Sequence, residues 1–477
     1  MMLKICFSAR SAYQRVSPMI FNEIRNQRPN TKATFITDNI KSQKAIESNN
    51  EGVEVFNIAS FIEQHWLDLN LDILSAYEEK YNCAPIWQYI YADRFLIKMP
   101  YSYCVKIATG LFMFYETIFH NNGFTHYYDE SIATLQSYVA YIVGKAYGVH
   151  YLGQMTFRKA ETKYHYFVAD PFQYMDGFDP TFANKQYSEN TVQNATAYLD
   201  SFEKSQTDSD IMTYVKSKPK LEFKWALYGL WLFFNKEYHN PCDYINYRYY
   251  MYFWGRTNYY FRYLNSQKYY KNPDMSLKYV YLPLHYQPEA STIVCAQKYE
   301  KQLFFIDSIA KSLPADTVLY VKEHYALIGH RDKHFYKQLN NYPNIRIISP
   351  FESSAELIKN SVAVATLTGT AGWEAMLLRK PVILGGHIYF DNAPGVVKTD
   401  DIYLNYIPIM QQWSQPKRED VIMYLCECFS NLGEGCVYFS RREFHNVENI
   451  NKVATSLLKH LDKMEKQENE CNFSNRF

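Results

Sequence analysis

The chain lacks the features that mark several protein classes. Its longest apolar run, Trp225–Phe234, is about half as long as a transmembrane helix needs to be. The formal net charge is +1, so no overall field favours nucleic acid or an acidic partner. The first residues lead into a short strand-like run, Ile5–Ser8, and not into the long apolar region of a signal peptide. These observations favour a cytoplasmic protein.

Cysteine is too sparse for a disulfide framework. The 477 residues include 9 cysteines, and only Cys426 and Cys428 lie close together. No group of cysteine and histidine residues has the spacing of a zinc site. We therefore expect reduced thiols and no bound metal.

Tyrosine, by contrast, is abundant: there are 45, and aromatic residues make up 17% of the chain. A ring with a hydroxyl group suits sugar stacking and membrane interfaces, although a compositional bias of the genome would enrich tyrosine as well. Lys220, Lys224 and Lys236 surround the apolar run Trp225–Phe234. That run could dip into a membrane interface, but a buried helix is the favoured interpretation.

Strand-like and helix-like segments alternate in two parts of the chain, which predicts parallel sheets with right-handed crossovers. We predict an α/β fold with two Rossmann-like lobes, spanning residues 1–275 and 276–477. A largely helical, aromatic-rich insertion is expected at about 158–271, within the first lobe. The second lobe should end in closing helices, the last from about Val447 to Lys466, followed by a disordered tail.

Polar residues collect where predicted strands of the second lobe end. In open α/β sheets, ligands bind at the carboxyl ends of the strands. The segment after the strand near residue 365 enters a helix, and its glycines and free N–H groups suit a phosphate. Glu374 could accept hydrogen bonds from ribose hydroxyls there, or its charge could simply interact favourably with the helix dipole. The donor-site candidates in this segment are Thr368, Gly369, Thr370, Gly372 and Glu374.

Lys322 and His324 follow another apolar strand. Because side chains alternate along a strand, these two should share one side while Glu323 points away. An ammonium and an imidazole together could clamp a nucleotide phosphate and stabilise a leaving group. The alternative is a surface lysine beside a structurally bonded histidine.

The segment after residue 284 is dense in hydrogen-bonding groups. Such groups are costly beside a buried strand unless a ligand or the loop itself satisfies them. The segment is therefore either a base- or sugar-recognition loop or a self-satisfied cap. Its candidates are Gln287, Glu289, Ser291 and Thr292.

Candidates in the first lobe also follow strands. Arg10 and Tyr13 come after the first strand and are assigned to the acceptor side. Asp129 and Glu130 end a later strand, where a carboxylate could serve as general base or nucleophile. Carboxylates at helix starts are equally common as caps.

The motifs LHYQPEAST, LYVKEH and TLTGTAGWEAMLLRKPVILGG, in this order over Lys278–Gly386, resemble the capsule polysaccharide biosynthesis family, which includes Kdo transferases. The resemblance implies a GT-B-type glycosyltransferase that uses a nucleotide-activated sugar, with CMP-Kdo favoured, and a glycan or glycolipid acceptor. In the family, Lys-x-His-Pro holds the donor phosphate. Lys322 and His324 match that element, but Tyr325 replaces the proline, and Ile293-Val294-Cys295 stands where glycine-rich sequence is expected.

With these assignments, His324 would assist departure of the nucleotide, and Glu130 or Asp129 would activate the acceptor. Side-chain and backbone donors suffice for this chemistry, so neither a cofactor nor a metal is required. The expected partners are a nucleotide sugar, an acceptor and a membrane surface, but no nucleic acid. The alternatives are a teichoic-acid-type polyol-phosphate transferase, a sugar-nucleotide 2-epimerase, and a non-catalytic carbohydrate-binding or export partner.

Overall fold

A computed structural model describes residues 3–10, 12–50, 52–83, 85–168, 170–205, 224–235, 239–244, 259–399 and 402–474. Its strands form two separate sheets. In chain order the strands are β1 (Lys4–Ser8), β2 (Lys32–Thr37), β3 (Glu54–Asn57), β4 (His126–Glu130), β5 (His150–Thr156), β6 (Tyr164–Val168), β7 (Lys278–Pro283), β8 (Thr317–Lys322), β9 (Ile345–Ile348), β10 (Ala363–Thr366), β11 (Val382–Leu384), β12 (Val396–Lys398) and β13 (Gly433–Glu434).

Helices cover the faces of both sheets. Those that precede β7 are α1 (Tyr13–Gln27), α2 (Ile40–Asn49), α3 (Ile58–His65), α4 (Leu71–Tyr81), α5 (Ile86–Ala92), α6 (Tyr101–Asn122), α7 (Leu135–Ala146), α8 (Glu189–Ser205) and α9 (Lys224–Phe234). Those that follow are α10 (Ala290–Ile293), α11 (Gln302–Ser312), α12 (Lys333–Asn340), α13 (Ser354–Asn360), α14 (Thr370–Leu377), α15 (Ile402–Gln412), α16 (Arg418–Ser430) and α17 (Val447–Ser474).

The second sheet is parallel and has the order β12-β11-β10-β7-β8-β9. Every residue of β10 and β11 is buried, which explains why these strands are continuous apolar runs rather than alternating ones. The chain builds the sheet outward from β7 in one direction and then from β10 in the other. The sheet therefore reverses its winding between β7 and β10, where α/β folds bind their ligands.

The first sheet has the order β13-β6-β5-β4-β1-β2-β3. Strands β1 to β5 are parallel, whereas β6 and β13 are antiparallel additions at one edge. The predicted fold class, two Rossmann-like α/β lobes, is thus confirmed. The insertion is less helical at its start than predicted, because Tyr164–Val168 extends the sheet. Much of its later part, including 206–223 and 245–258, lies outside the described residues.

The C-terminal segment requires a correction to the predicted lobe boundary. We assigned everything after residue 276 to the second lobe, but β13 joins the first sheet and α17 packs against α1. Buried Val453, Leu457 and Leu461 share one apolar core with Ile5 and Phe7 of β1. The apolar stripe of the last helix was evident in the sequence, whereas the surface that it covers was not. The helix also runs to Ser474, into the tail that we expected to be disordered.

Helix α9 corresponds to the longest apolar run, but it is not buried as we favoured. Leu227, Trp231 and Phe234 are exposed by 67%, 51% and 77%. No helix in the described ranges has the length and apolar character needed to cross a membrane. The cysteines that the structure describes are free thiols.

Replacing Leu457 with alanine tests the assignment of α17 to the first-lobe core. Leu457 is fully buried, so Leu457→Ala should lower the free energy of unfolding by about 2–5 kcal/mol through lost burial and a residual cavity. The matched control, Leu67→Ala, changes a side chain that is 91% exposed and should have little effect. Thermal and urea unfolding would measure both variants, and equal stabilities would contradict the assignment.

Candidate functional site

A cavity of about 270 Å³ lies at the carboxyl ends of β7, β8 and β10. The loop that follows β5 in the first lobe forms its opposite wall. The predicted donor-site residues that line the cavity are Glu289, Ser291, Lys322, His324, Thr368, Gly369, Thr370 and Glu374. The fold therefore brings together most of the candidates from three separate motifs.

All three residues of the Lys322-Glu323-His324 triplet line the cavity, but their side chains form different contacts. The Lys322 Nζ atom donates a hydrogen bond of 2.6 Å to Ser354 Oγ, and both residues border the cavity. The buried Glu323 carboxylate instead pairs with Arg331 at 2.9 Å and accepts a hydrogen bond from the Tyr336 hydroxyl at 2.6 Å. Glu323 thus anchors the strand end, while Lys322 and His324 line the cavity.

His324 is a neutral hydrogen-bond donor rather than a cation. Burial, together with the positive charges of Arg331, Lys322 and Arg94, lowers its pKa to about 4. Its Nδ1 atom accepts the Ala326 N–H at 3.2 Å, which leaves the ring proton on Nε2. At neutral pH the imidazole can therefore donate one hydrogen bond to an oxygen that is gaining negative charge.

The turn into α14 depends on close contacts at Gly369. A Cβ atom there would lie 2.7 Å from Thr366 Oγ1 and 3.1 Å from His285 Nε2. Gly369 lines the cavity together with Thr370, the first residue of α14. The helix N-terminus, with its partial positive charge, consequently borders the same space.

Gly372 serves packing and is a correction to the predicted donor set. A Cβ atom on Gly372 would lie 2.9 Å from Thr366 Cγ2 and 3.2 Å from the Phe390 ring. Gly372 is also not among the residues that line the cavity. Its role is to let α14 approach β10 closely.

Glu374 borders the cavity, as the ribose-binding assignment requires. Its carboxylate is almost completely buried and forms an ion pair of 3.2 Å with Lys159 of the first lobe. This cation lowers the cost of burying the carboxylate. A role for Glu374 in ribose binding stays a prediction.

The Gln287–Thr292 loop largely satisfies its own hydrogen bonds. Thr292 Oγ1 donates to the Glu289 carbonyl at 3.0 Å and accepts from Gln287 at 3.2 Å. Neither Gln287 nor Thr292 lines the cavity, so the self-satisfied-cap alternative describes them better. Glu289 and Ser291 do line it, although the Glu289 carboxylate is paired with Arg94 at 2.6 Å.

His285 was missing from the predicted site. The ring is buried, and its Nε2 atom accepts the Thr368 N–H at 3.1 Å, which ties the loop after β7 to the loop after β10. Burial, together with the charges of His324, Arg158 and Arg331, lowers the pKa of His285 to about 3, so the ring is neutral. A histidine that directly follows a buried strand was the available signal.

Arg158 was also missed, and no local pattern pointed to it. It lies in the loop after β5, yet it donates a hydrogen bond of 3.1 Å to the Thr368 carbonyl and another to Thr370 Oγ1. More than two hundred residues separate these partners in sequence. Only the meeting of the two lobes places Arg158 at the cavity.

The four first-lobe candidates do not line this cavity. Arg10 donates to both carboxylate oxygens of buried Asp129, at 2.9 and 2.8 Å, and to Gln136 at 2.9 Å. Tyr13 is buried and donates to the Val437 carbonyl at 2.9 Å. Asp129 and Arg10 therefore satisfy each other, and the Tyr13 hydroxyl faces the C-terminal segment instead of an acceptor.

Glu130 differs from its neighbour Asp129. Its side chain is open to solvent, but surrounding protein displaces much of the water around it. This loss of solvation raises the pKa of Glu130 to about 7, with the Asp129 charge as a second cause. A carboxylate with this pKa can accept and release protons near neutral pH.

Metal ligands are not grouped anywhere in the described ranges: no set of three or more His, Cys, Asp or Glu side chains could hold an ion. The absence of a metal or cofactor requirement stays a prediction.

Comparison with known proteins supports the resemblance inferred from the motifs. Residues 239–425 match the model of the family described as "Capsule polysaccharide biosynthesis protein". That stretch contains all of the quoted motifs, so the resemblance is confirmed for this part of the chain. A comparison with curated protein sequences finds no match.

Several solved structures match the chain with low identity and low TM-scores. The beta Kdo 2,4 transferase of KpsC from Thermosulfurimonas dismutans is 10% identical to this chain, with a TM-score of 0.39. The match covers 66% of this chain and 82% of that chain. The beta Kdo 2,7 transferase of KpsC from the same organism is 9% identical, with a TM-score of 0.37. That match covers 95% of this chain and 99% of that chain. UDP-GlcNAc 2-epimerase of Methanocaldococcus jannaschii is 12% identical, with a TM-score of 0.26 and coverages of 96% and 100%. The functional argument therefore depends on the residues of the site.

The pH dependence of stability tests the neutral state of His285. Because its folded pKa of about 3 lies below the ordinary value of 6.5, the unfolded chain takes up the proton first as pH falls. The stability that the neutral His285 ring contributes is complete above pH 6.5. As the pH falls from 6.5 towards 3, the free energy of unfolding decreases by about 1.4 kcal/mol per pH unit.

His285→Gln should flatten this acid branch when melting temperatures are compared between pH 7.5 and 4.5. His334→Gln, at an exposed histidine, is the matched control and should follow the wild type. Parallel profiles for His285→Gln and the wild type would contradict the assignment.

Proposed function

We propose that the protein is a glycosyltransferase that moves a sugar from a nucleotide-activated donor to a glycan or glycolipid acceptor in the synthesis of capsule or another surface polysaccharide. The observation that carries the proposal is the placement of Lys322, neutral His324 and the start of α14 around one cavity at the carboxyl edge of the second sheet. All three lie within the part of the chain that matches the capsule family.

The chemistry follows from the charge that develops on the leaving group. As the bond between the sugar and the phosphate breaks, negative charge accumulates on the phosphate oxygens. The Lys322 ammonium, the His324 Nε2–H and the positive end of α14 are suited to stabilise it without reorganising. Binding that strengthens as charge develops lowers the barrier to transfer.

Acceptor activation is assigned to Glu130 in preference to Asp129. The pKa of Glu130, about 7, suits a general base that removes a proton from the acceptor hydroxyl at neutral pH. Asp129 is occupied by the Arg10 guanidinium and would help to maintain the raised pKa of its neighbour. In this mechanism the lobes close over the donor to bring Glu130 to the reacting sugar.

The favoured donor is a CMP-activated acidic sugar of the Kdo type. The family resemblance motivates this choice, and the cationic character of Lys322 and Arg158 at the cavity is compatible with an anionic donor. A UDP- or GDP-linked sugar would place a diphosphate at the same contacts and would also differ in the base.

Contact with a membrane surface is a further part of the proposal. On α9, six large apolar side chains are more than a third exposed, and Lys224 begins the helix. An apolar face of this kind can enter the interfacial region of an anionic bilayer while a lysine binds its headgroups. Such contact would bring the cleft to a glycolipid acceptor. The exposed side chains are Leu227, Tyr228, Leu230, Trp231, Phe233 and Phe234.

Nucleotide binding is the direct test of the donor site. CMP, CDP, UDP and GDP would be added to the wild type and to His324→Ala, with melting temperature as the readout. A ligand at a hundred times its Kd stabilises the folded state by about 2.7 kcal/mol. We expect CMP to stabilise the wild type most and to lose much of its effect in the variant.

His334→Ala is the matched control because His334 is exposed and does not line the cavity. A UDP or GDP preference would keep the donor site and change the donor. If no nucleotide stabilises the wild type, the transferase proposal fails, and a non-catalytic carbohydrate-binding or export role replaces it.

Glu130→Gln tests acceptor activation. Loss of a general base typically costs about 10²–10⁴-fold in rate, so we expect this variant to bind CMP normally and to transfer sugar at least about a hundredfold more slowly. The control is Glu54→Gln, on β3, which should leave transfer intact. Transfer from CMP-Kdo to total membrane glycolipid would be followed by release of CMP. Undiminished transfer by Glu130→Gln would remove this residue from the mechanism.

The membrane contact is tested by flotation with vesicles of phosphatidylethanolamine and phosphatidylglycerol. Trp231→Ser combined with Phe234→Ser should reduce vesicle binding by about tenfold or more, because burying each ring contributes roughly 1.5–3 kcal/mol. Phe304→Ser is the control, since Phe304 is also exposed, by 60%, but lies on α11. Equal losses in both variants, or no binding by the wild type, would argue against α9 as the contact.

A further inference from the structure

We infer that Arg158 of the first lobe binds the phosphate of the nucleotide donor, so that the two lobes together form the anion site. This inference rests on the proposed function and extends it to a residue outside the matched region 239–425. The loop that carries Arg158 follows β5 and forms the first-lobe wall of the cavity.

The Arg158 backbone is held in place at this wall. Its carbonyl accepts a hydrogen bond of 2.7 Å from the Tyr198 hydroxyl. That hydroxyl in turn accepts a hydrogen bond of 2.8 Å from the Trp373 indole of α14. The Arg158 backbone is thus connected through Tyr198 to the helix whose N-terminus borders the cavity.

The Arg158 side chain retains capacity to bind an anion. A guanidinium carries five N–H donors, and its recorded hydrogen bonds go to the Thr368 carbonyl and Thr370 Oγ1. Both acceptors are uncharged. No carboxylate in the described ranges lies within ion-pair distance of Arg158. The remaining donors suit phosphate oxygens, which an arginine fork binds in pairs.

The charges around the cavity favour this assignment. Of the four lining carboxylates, Glu289 pairs with Arg94, Glu323 with Arg331 and Glu374 with Lys159, while Glu161 accepts a hydrogen bond of 3.0 Å from the Lys159 backbone N–H. These pairs neutralise most of the local negative charge. Among the described residues, no ion pair neutralises the charge of Arg158, which lines the same cavity as Lys322. An anion bound in the cavity would balance the charge of Arg158.

The experiment separates phosphate binding from base binding. Calorimetry would give the Kd of CMP and of cytidine for the wild type, Arg158→Ala, Arg158→Lys and Lys163→Ala. Lys163 is an exposed cation of the same loop that does not line the cavity. If CMP does not bind the wild type but UMP does, the same measurements would use UMP and uridine in place of CMP and cytidine.

Arg158→Ala should weaken CMP binding by roughly 10- to 100-fold, the usual loss for hydrogen bonds to a charged group, while cytidine binding changes by less than about twofold. Arg158→Lys should lie between Arg158→Ala and the wild type, because it keeps the charge and loses the fork. Lys163→Ala should match the wild type.

An unchanged CMP affinity in both Arg158 variants would overturn the inference and leave the proposed function standing. Equal losses for CMP and cytidine would also overturn it, because they would indicate a purely structural role for Arg158. If no nucleotide binds the wild type, the proposed function fails and the inference fails with it. Melting temperatures would verify folding, and the lysine variant alone suffices if the alanine variant does not fold.

Discussion

The side-by-side position of β7, β8 and β10 in the second sheet is the constraint on which the site depends. Parallel strands end at the same edge, so the segments after these three strands must meet. The reversal of winding between β7 and β10 also keeps a helix from filling the space between their ends. Lys322, His324 and Thr370 reach one cavity for this reason. Contacts such as the hydrogen bond from Thr368 to His285 then fix the loops relative to one another.

Burial decides what the polar groups at this edge can do. His324 and His285 lie where charging a ring would be costly, so both are neutral and each uses one nitrogen within the protein. The buried Glu323 carboxylate is paired with Arg331 at 2.9 Å. The same loss of solvation raises the pKa of Glu130, which forms no ion pair with the other described residues. The polar groups are therefore of two kinds: carboxylates held in ion pairs, such as Glu323, and groups that can still form new hydrogen bonds or exchange a proton, such as His324 and Glu130.

The two lobes contact each other at the cleft, whereas the packing of α17 lies within the first lobe. At the cleft, the Lys159–Glu374 ion pair and the hydrogen bonds of Arg158 connect the loop after β5 to α14. Elsewhere, α17 returns to the first lobe and covers the core around β1. A movement of the lobes would alter the contacts at the cleft. It would leave the packing of α17 intact, because that packing lies within one lobe. Donor binding and the relation of the lobes are thus expected to be coupled.

The sequence by itself determined the α/β alternation, most strands of both lobes, though not β6, β12 or β13, and the clustering of polar groups after β7, β8 and β10. It could do so because strand period, turn residues and helix starts are encoded locally. Only the tertiary structure decided that Arg158 joins the cavity, that Gly372 serves packing, and that Asp129 is bound by Arg10. It also decided that α17 covers the first lobe rather than the second. Those outcomes, like the protonation of His324, depend on contacts between residues distant in sequence and on the solvent that those contacts exclude, neither of which a local pattern records.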